Sequence, residues 1–129
     1  MSAGPQVTIL LVDDDPLLRG LARELLEHLG YQVEVAGGGA EAMELLRRLP
    51  QVGLVVLDYW LAGEDGSEVL AALKAQDPGV RVLVASGFFD PQEVERLKEA
   101  GALGIIHKPF RLAALEARIK QALAGQPGF

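Results

Sequence analysis

Four places along the chain end an apolar run on side chains that can do chemistry: Asp13-Asp14-Asp15, Asp58, Ser86 and Lys108. Asp58 follows Leu54-Val55-Val56-Leu57 and is itself followed by Gly63, Asp65 and Gly66, which signal a loop. Each piece has a plainer reading alone. An acidic cluster starts helices, Ser86-Gly87 makes a turn, and Lys108-Pro109 makes a loop. Brought together they have a specific chemistry. Crowded carboxylates repel, and one takes up a proton unless a cation is present. A hard divalent ion with oxygen ligands resolves this, and Mg²⁺ suits a site of few carboxylates plus waters. Lys108 adds a fixed positive charge and Ser86 a hydroxyl. A metal, an ammonium and a hydroxyl hold and neutralise a phosphoryl group. A carboxylate in their midst can act as nucleophile and form an acyl phosphate.

The elements that must position these groups follow from the pattern. Val7 to Val12, Gln32 to Ala36, Leu54 to Leu57, Val80 to Ala85 and Leu103 to Ile106 read as strands. Helices alternate with them. The first starts at Pro16 with Asp15 as N-cap, places Leu17, Leu18, Leu21, Leu25 and Leu29 at helical spacing, and stops at Gly30. Others span Ala40 to Leu49 and Ser67 to Ala75. A fourth follows the capping box Asp90-Pro91-Gln92-Glu93 and stops at Gly101, and a last runs from Arg111 to Ala124. Alternating strands and helices predict an α/β fold, a parallel sheet with helices on both faces. The flavodoxin-like (βα)5 three-layer sandwich, with five strands in the order 2-1-3-4-5, is the expected topology. Its ligand crevice lies outside the first and third strands, which end on Asp13-Asp14 and on Asp58.

The chain has 129 residues, expected to form a single domain over 1–129 with its core at about 7–123 and a loose tail at 124–129. It has no cysteine, so neither disulfides nor a thiolate metal site is available. No apolar run approaches the ~20 residues that span a bilayer, so membrane insertion is not expected. Met1 to Gln6 shows no signal-peptide pattern, and the cytoplasm is the default location. The net charge is −6 with no basic stripe, which argues against direct nucleic-acid binding.

Leu11-Val12-Asp13-Asp14-Asp15-Pro16 with Arg19, Leu57-Asp58 with Gly66, Ala85-Ser86-Gly87 and Lys108-Pro109-Phe110 together resemble the receiver domain of two-component response regulators, of the chemotaxis-regulator type. The resemblance runs from about Val7 to Leu123. It implies that Asp58 is the phosphoacceptor, charged by a histidine kinase or phosphotransfer protein. It implies that Asp13, Asp14, Asp58 and the backbone carbonyl of Trp60 hold Mg²⁺. Ser86 and Lys108 would bind the phosphoryl group, and Pro109 is a candidate for a cis peptide. Asp15 remains a helix cap. His28 and His107 lie in no phosphohistidine pattern, so the donor is another protein, and a further, unidentified protein receives the signal.

The chain departs from the family at several positions. Leu61-Ala62 stands where Met-Pro is common, removing a fixed φ from the loop. Ile105 occupies the position where many receivers carry a switching Tyr or Phe, so the readout is muted or falls to Phe88 or Phe89. This keeps open an interaction module that works without phosphorylation. Leu103 and Gly104 replace the acidic residues of a charge-paired dimer, and a monomer or weak dimer is expected. Trp60 and Phe88 would shield an acyl phosphate and slow its loss, unless the rings stand in solvent or pack locally. Two other readings compete. A haloacid-dehalogenase-type phosphatase would need acidic residues after Lys108, where only mid-helix Glu116 follows. A flavodoxin-like cofactor binder would not place three aspartates after its first strand.

Overall fold

The computed structural model describes residues 7–49, 51–61, 63–109 and 111–129. Met1 to Gln6, Pro50, Ala62 and Phe110, and the readings made on them, lie outside these. The elements are β1 (Thr8–Val12), α1 (Pro16–His28), β2 (Gln32–Ala36), α2 (Gly39–Arg48), β3 (Leu54–Asp58), β4 (Trp60–Leu61), β5 (Glu64–Asp65), α3 (Gly66–Gln76), β6 (Val82–Ser86), α4 (Pro91–Glu99), β7 (Gly104–His107) and α5 (Leu112–Leu123). The main sheet has five strands, all parallel, in the order β2-β1-β3-β6-β7. This is the expected 2-1-3-4-5 order, with a short antiparallel ribbon, β4 and β5, counted inside the acceptor loop. That ribbon closes over Gly63, whose φ of +72° suits a residue without Cβ.

The continuous apolar runs become strands covered on both faces, as parallel strands require. Every residue of β3 and of β6 is buried. One face packs Leu45, Leu46, Leu70, Leu73 and Leu97 from α2, α3 and α4. The other packs Ala22, Leu26, Leu115, Ile119 and Ala122 from α1 and α5. Leu10, on β1 between β2 and β3, is 0 % exposed. Leu10→Ala is expected to cost about 3 kcal/mol, read as a lower urea midpoint.

Of the leucines at helical spacing on α1, Leu17, Leu18 and Leu21 are exposed and Leu25 packs against the core, where the fully buried contacts are made by Ala22 and Leu26. A helix apolar on more than one side leaves periodicity ambiguous, and the small Ala22 takes the position closest to the sheet. The segment read as a loose tail makes backbone contacts with the sheet. Gly128 pairs with Gly104 on the outer edge of β7, where the edge strand still has backbone groups to bond.

Candidate functional site

Strand register sets the site. Leu57 at the end of β3 lies opposite Val12 at the end of β1, and Asp58 lies opposite Ala85 on β6. The residues that follow these positions therefore meet at the carboxyl edge of the sheet. Ligand atoms of Asp13, Asp14 and Asp58 lie within 4.8 Å of one another, a cluster able to hold a metal ion. Lys108 reaches in from the end of β7, its Nζ 3.1 Å from Asp13 Oδ2 and 3.4 Å from Asp58 Oδ2. The Lys108–Pro109 peptide is cis, and Lys108 N–H donates to the Ser86 carbonyl at 2.8 Å.

The carboxylates are held by backbone and side chain. Asp13 accepts from Asp15 N–H at 3.0 Å, and its carbonyl accepts from Arg19 Nη1 at 3.0 Å. Asp58 accepts from Trp60 N–H at 3.4 Å. Asp15 caps α1, accepting from Leu17 and Leu18 N–H, and so acts apart from the cluster. Gly66 lies against the backbone of Tyr59; a Cβ there would come within 2.6 Å of the Tyr59 carbonyl oxygen, so only glycine lets α3 start this close to the acceptor loop.

Burial and the charge of Asp13 push the Asp58 carboxyl above its ordinary range, outweighing the opposing pull of Lys108 and the Trp60 N–H. Burial pulls Lys108 down, but its bonds to Asp13 and the charges of Asp58 and Asp13 outweigh this and hold it above the usual lysine value. Among the described residues, three carboxylates meet one ammonium here. The donor set is all oxygen and anionic, which suits a hard divalent cation.

Ser86 is buried at the edge of this cluster, but its hydroxyl is turned to a local turn, donating to the Phe88 carbonyl at 3.0 Å and accepting from Phe88 N–H. Trp60 and Phe88 are 63 % and 70 % exposed, so their rings stand in solvent, Trp60 with an edge contact to Tyr59. Ile105 is buried and offers no ring. Of the two candidate aromatics, Phe89 is the one packed inward, against Tyr59 and His107. His107 is exposed and His28 lies in the exposed last turn of α1.

Sequence reading missed one group. Tyr59, next to the acceptor position, is buried, and burial together with the nearby Glu93 of α4 pushes its hydroxyl up. Glu93 accepts from Asp90 N–H, so a residue legible as a helix cap also bears on the side chain beside the acceptor. Charged residues at successive turns of α4 were the available signal.

Carboxylates and a lysine gathered at the carboxyl edge of a doubly wound parallel sheet define a receiver-type signalling module. The chain belongs to the response regulator receiver domain family, which it matches over residues 9–120. It is 32 % identical to sporulation initiation phosphotransferase F of Bacillus subtilis, covering 89 % of this chain and 92 % of that one. It is 39 % identical to the transcriptional activator protein ExaE of Pseudomonas putida over 91 % of this chain and 55 % of that one. A two-component response regulator of the LuxR family from Aurantimonas superposes with a TM-score of 0.89 at 31 % identity, covering 97 % and 90 % of the two chains. Of other curated relatives the chain spans between 13 % and 56 % of their length. Receivers of this family are regulatory and generally bind Mg²⁺, and the phosphatase and cofactor-binding readings give way to it. Among the described residues no helix is long and apolar enough to cross a membrane.

Proposed function

We propose that this receiver takes a phosphoryl group onto Asp58 from a histidine kinase or phosphotransfer protein and thereby changes its hold on a downstream protein. The observation that carries the reading is the meeting of Asp13, Asp14 and Asp58 within 4.8 Å, with the Lys108 ammonium 3.1 Å and 3.4 Å from two of them. In the transfer, a carboxylate oxygen of Asp58 attacks phosphorus. The new P–O bond forms as the P–N bond to the donor imidazole breaks, and that nitrogen keeps the electron pair and is protonated. Asp13, Asp14, Asp58 and the Trp60 carbonyl would hold Mg²⁺, which when bound supplies positive charge against the phosphoryl oxygens. Lys108 pairs with one of those oxygens, and the Ser86 hydroxyl leaves the Phe88 carbonyl to donate to another. The exposed Leu17, Leu18 and Leu21 of α1, with Leu25 beside Lys108 and Pro109, give the donor an apolar landing next to Asp58. The protein works in the cytoplasm as a monomer or weak dimer.

Trp60 is the only tryptophan and follows Asp58 by two residues, so its fluorescence reports on the site. Titration with Mg²⁺ and then beryllofluoride is expected to change the emission at each step. Because the Asp58 carboxyl is raised, a proton competes with the metal there. The Mg²⁺ needed should rise by about tenfold per pH unit once the pH falls below that raised value. Silence to both additions, with no phosphoryl label on Asp58, refutes the reading.

A further inference from the structure

The outer edge of β7 is closed by the chain itself. Gly128 lies parallel to Gly104; its N–H donates to the Leu103 carbonyl and its carbonyl accepts from Ile105 N–H, both at 3.0 Å. Phe129 sits beneath Lys98 of α4, with Nζ 5.1 Å from the ring centre. The approach to this position is built step by step. Arg81 Nη1 donates to the Leu123 carbonyl at 2.7 Å, Gly125 turns the chain with a φ of +77°, and Gln126 N–H returns to the Gln121 carbonyl at 3.0 Å. The fit depends on small residues on both sides. A Cβ on Gly104 would come 2.8 Å from the Gly128 oxygen, and one on Gly128 would run into Gln121 and Arg118 of α5. Residues Gln126–Phe129 therefore lie across the groove between α4, β7 and α5.

We propose that Gln126–Phe129 is a displaceable latch on the β7 edge, closing the α4–β7–α5 surface while Asp58 is unmodified and leaving it when Asp58 is phosphorylated. The proposal rests on the phosphoacceptor reading above. The hold is slight: two backbone bonds at the β7 edge, one from Gln126 to Gln121, and a ring that touches Lys98 yet remains 38 % exposed. An edge bonded this lightly opens more readily than the interior strands. The connection to the site is direct. Ile105, which donates to the latch, is paired with Val84 of β6; two residues on, His107 is paired with Ser86, and Lys108 N–H is bonded to the Ser86 carbonyl. Turning Ser86 and Lys108 toward a phosphoryl group shifts the end of this β6–β7 pair, three residues from Ile105. The latch also answers the absence of a switching ring at Ile105. The signal is read through the backbone of that residue, by what its N–H holds.

Amide hydrogen exchange on the full chain tests this, with Trp60 fluorescence run in parallel to report whether the site is filled. In the unmodified protein the Ile105 and Gly128 amides are expected to be protected, and saturating Mg²⁺ and beryllofluoride should speed both by about tenfold while Leu10 stays unchanged. Phe129→Ala, a change at a half-exposed ring, should speed Gly128 without the mimic. An unprotected Gly128 amide in the unmodified protein overturns the latch. Protection that persists while Trp60 reports bound mimic overturns its release but leaves the phosphoacceptor reading standing. A silent Trp60 refutes the phosphoacceptor reading and takes the release with it.

Discussion

Asp58→Asn incorporates no phosphoryl group from a small acyl phosphate donor, and labelling falls to background. The amide is no nucleophile toward phosphorus, and the neighbouring Asp13 carboxylate is buried and bonded to Lys108 and to Asp15 N–H. The same variant has a second, opposite effect on the metal-free protein, which becomes more stable at neutral pH. The sign follows from the raised Asp58 carboxyl. A carboxyl whose folded pKa lies above its unfolded value contributes stability below the unfolded pKa, and that contribution is lost as pH rises through the folded value. Above that raised value the fold therefore carries an ionised group that burial and Asp13 disfavour, and asparagine removes the charge while keeping the shape. The gain should vanish at low pH, where wild-type Asp58 is protonated. Mg²⁺ should stabilise the wild type more than the variant, because one ligand charge is gone. Urea midpoints at two pH values, with and without Mg²⁺, measure all of this. Labelling of the variant at a rate near wild type would move the acceptor to another side chain.

The sheet was legible because parallel strands buried on both faces are near-continuous apolar runs, and because each run stops on the polar residues of the site. Asp13, Asp58, Ser86 and Lys108 could be placed on one edge from strand order alone. Caps were legible for a local reason: Asp15 and the Asp90–Glu93 box bond backbone within three residues of themselves. What was not legible depends on partners distant in sequence. Nothing in α1 distinguishes the exposed Leu17, Leu18 and Leu21 from core residues, since the choice is made by where the sheet sits. Glu64 bonds the N–H of Gly39 at the start of α2 across 25 residues, a cap supplied from another element. Ser86 could be placed but not aimed, because a hydroxyl rotates to the nearest acceptor, here the Phe88 carbonyl. The carboxyl-terminal pairing left one readable trace. An isolated glycine inside a strand marks close approach of another backbone, and Gly104 is such a glycine. Its weight was lost because the glycines and proline of 124–129 suggest a chain with nothing to hold it.

Lys108→Met is the stronger test of how the site balances its charge. Among the described residues Lys108 is the one ammonium bonded to the cluster, with a side chain only 20 % exposed, lying against Asp13 and Asp58. Its raised pKa keeps it charged at neutral pH, so the pair contributes its full stability there and loses it only as pH climbs through the lysine range. Methionine keeps the length and apolar stem but removes the charge. Breaking a buried pair by removing one partner leaves an uncompensated charge. Allowing for the partial exposure of Lys108, the metal-free variant should lose about 2 kcal/mol at pH 7. The loss should shrink at low pH, because Asp58, now without its nearest cation, takes up a proton even more readily and the repulsion with Asp13 ends. Mg²⁺ should restore part of the stability by supplying positive charge to the same oxygens. It should not restore phosphotransfer, which is expected to fall by about a hundredfold or more, since Lys108 also meets the charge that develops on the phosphoryl oxygens. Metal therefore separates the two roles of this side chain. If Mg²⁺ rescued both stability and transfer, Lys108 would be a counter-charge only, and its part in binding the phosphoryl group would have to be withdrawn.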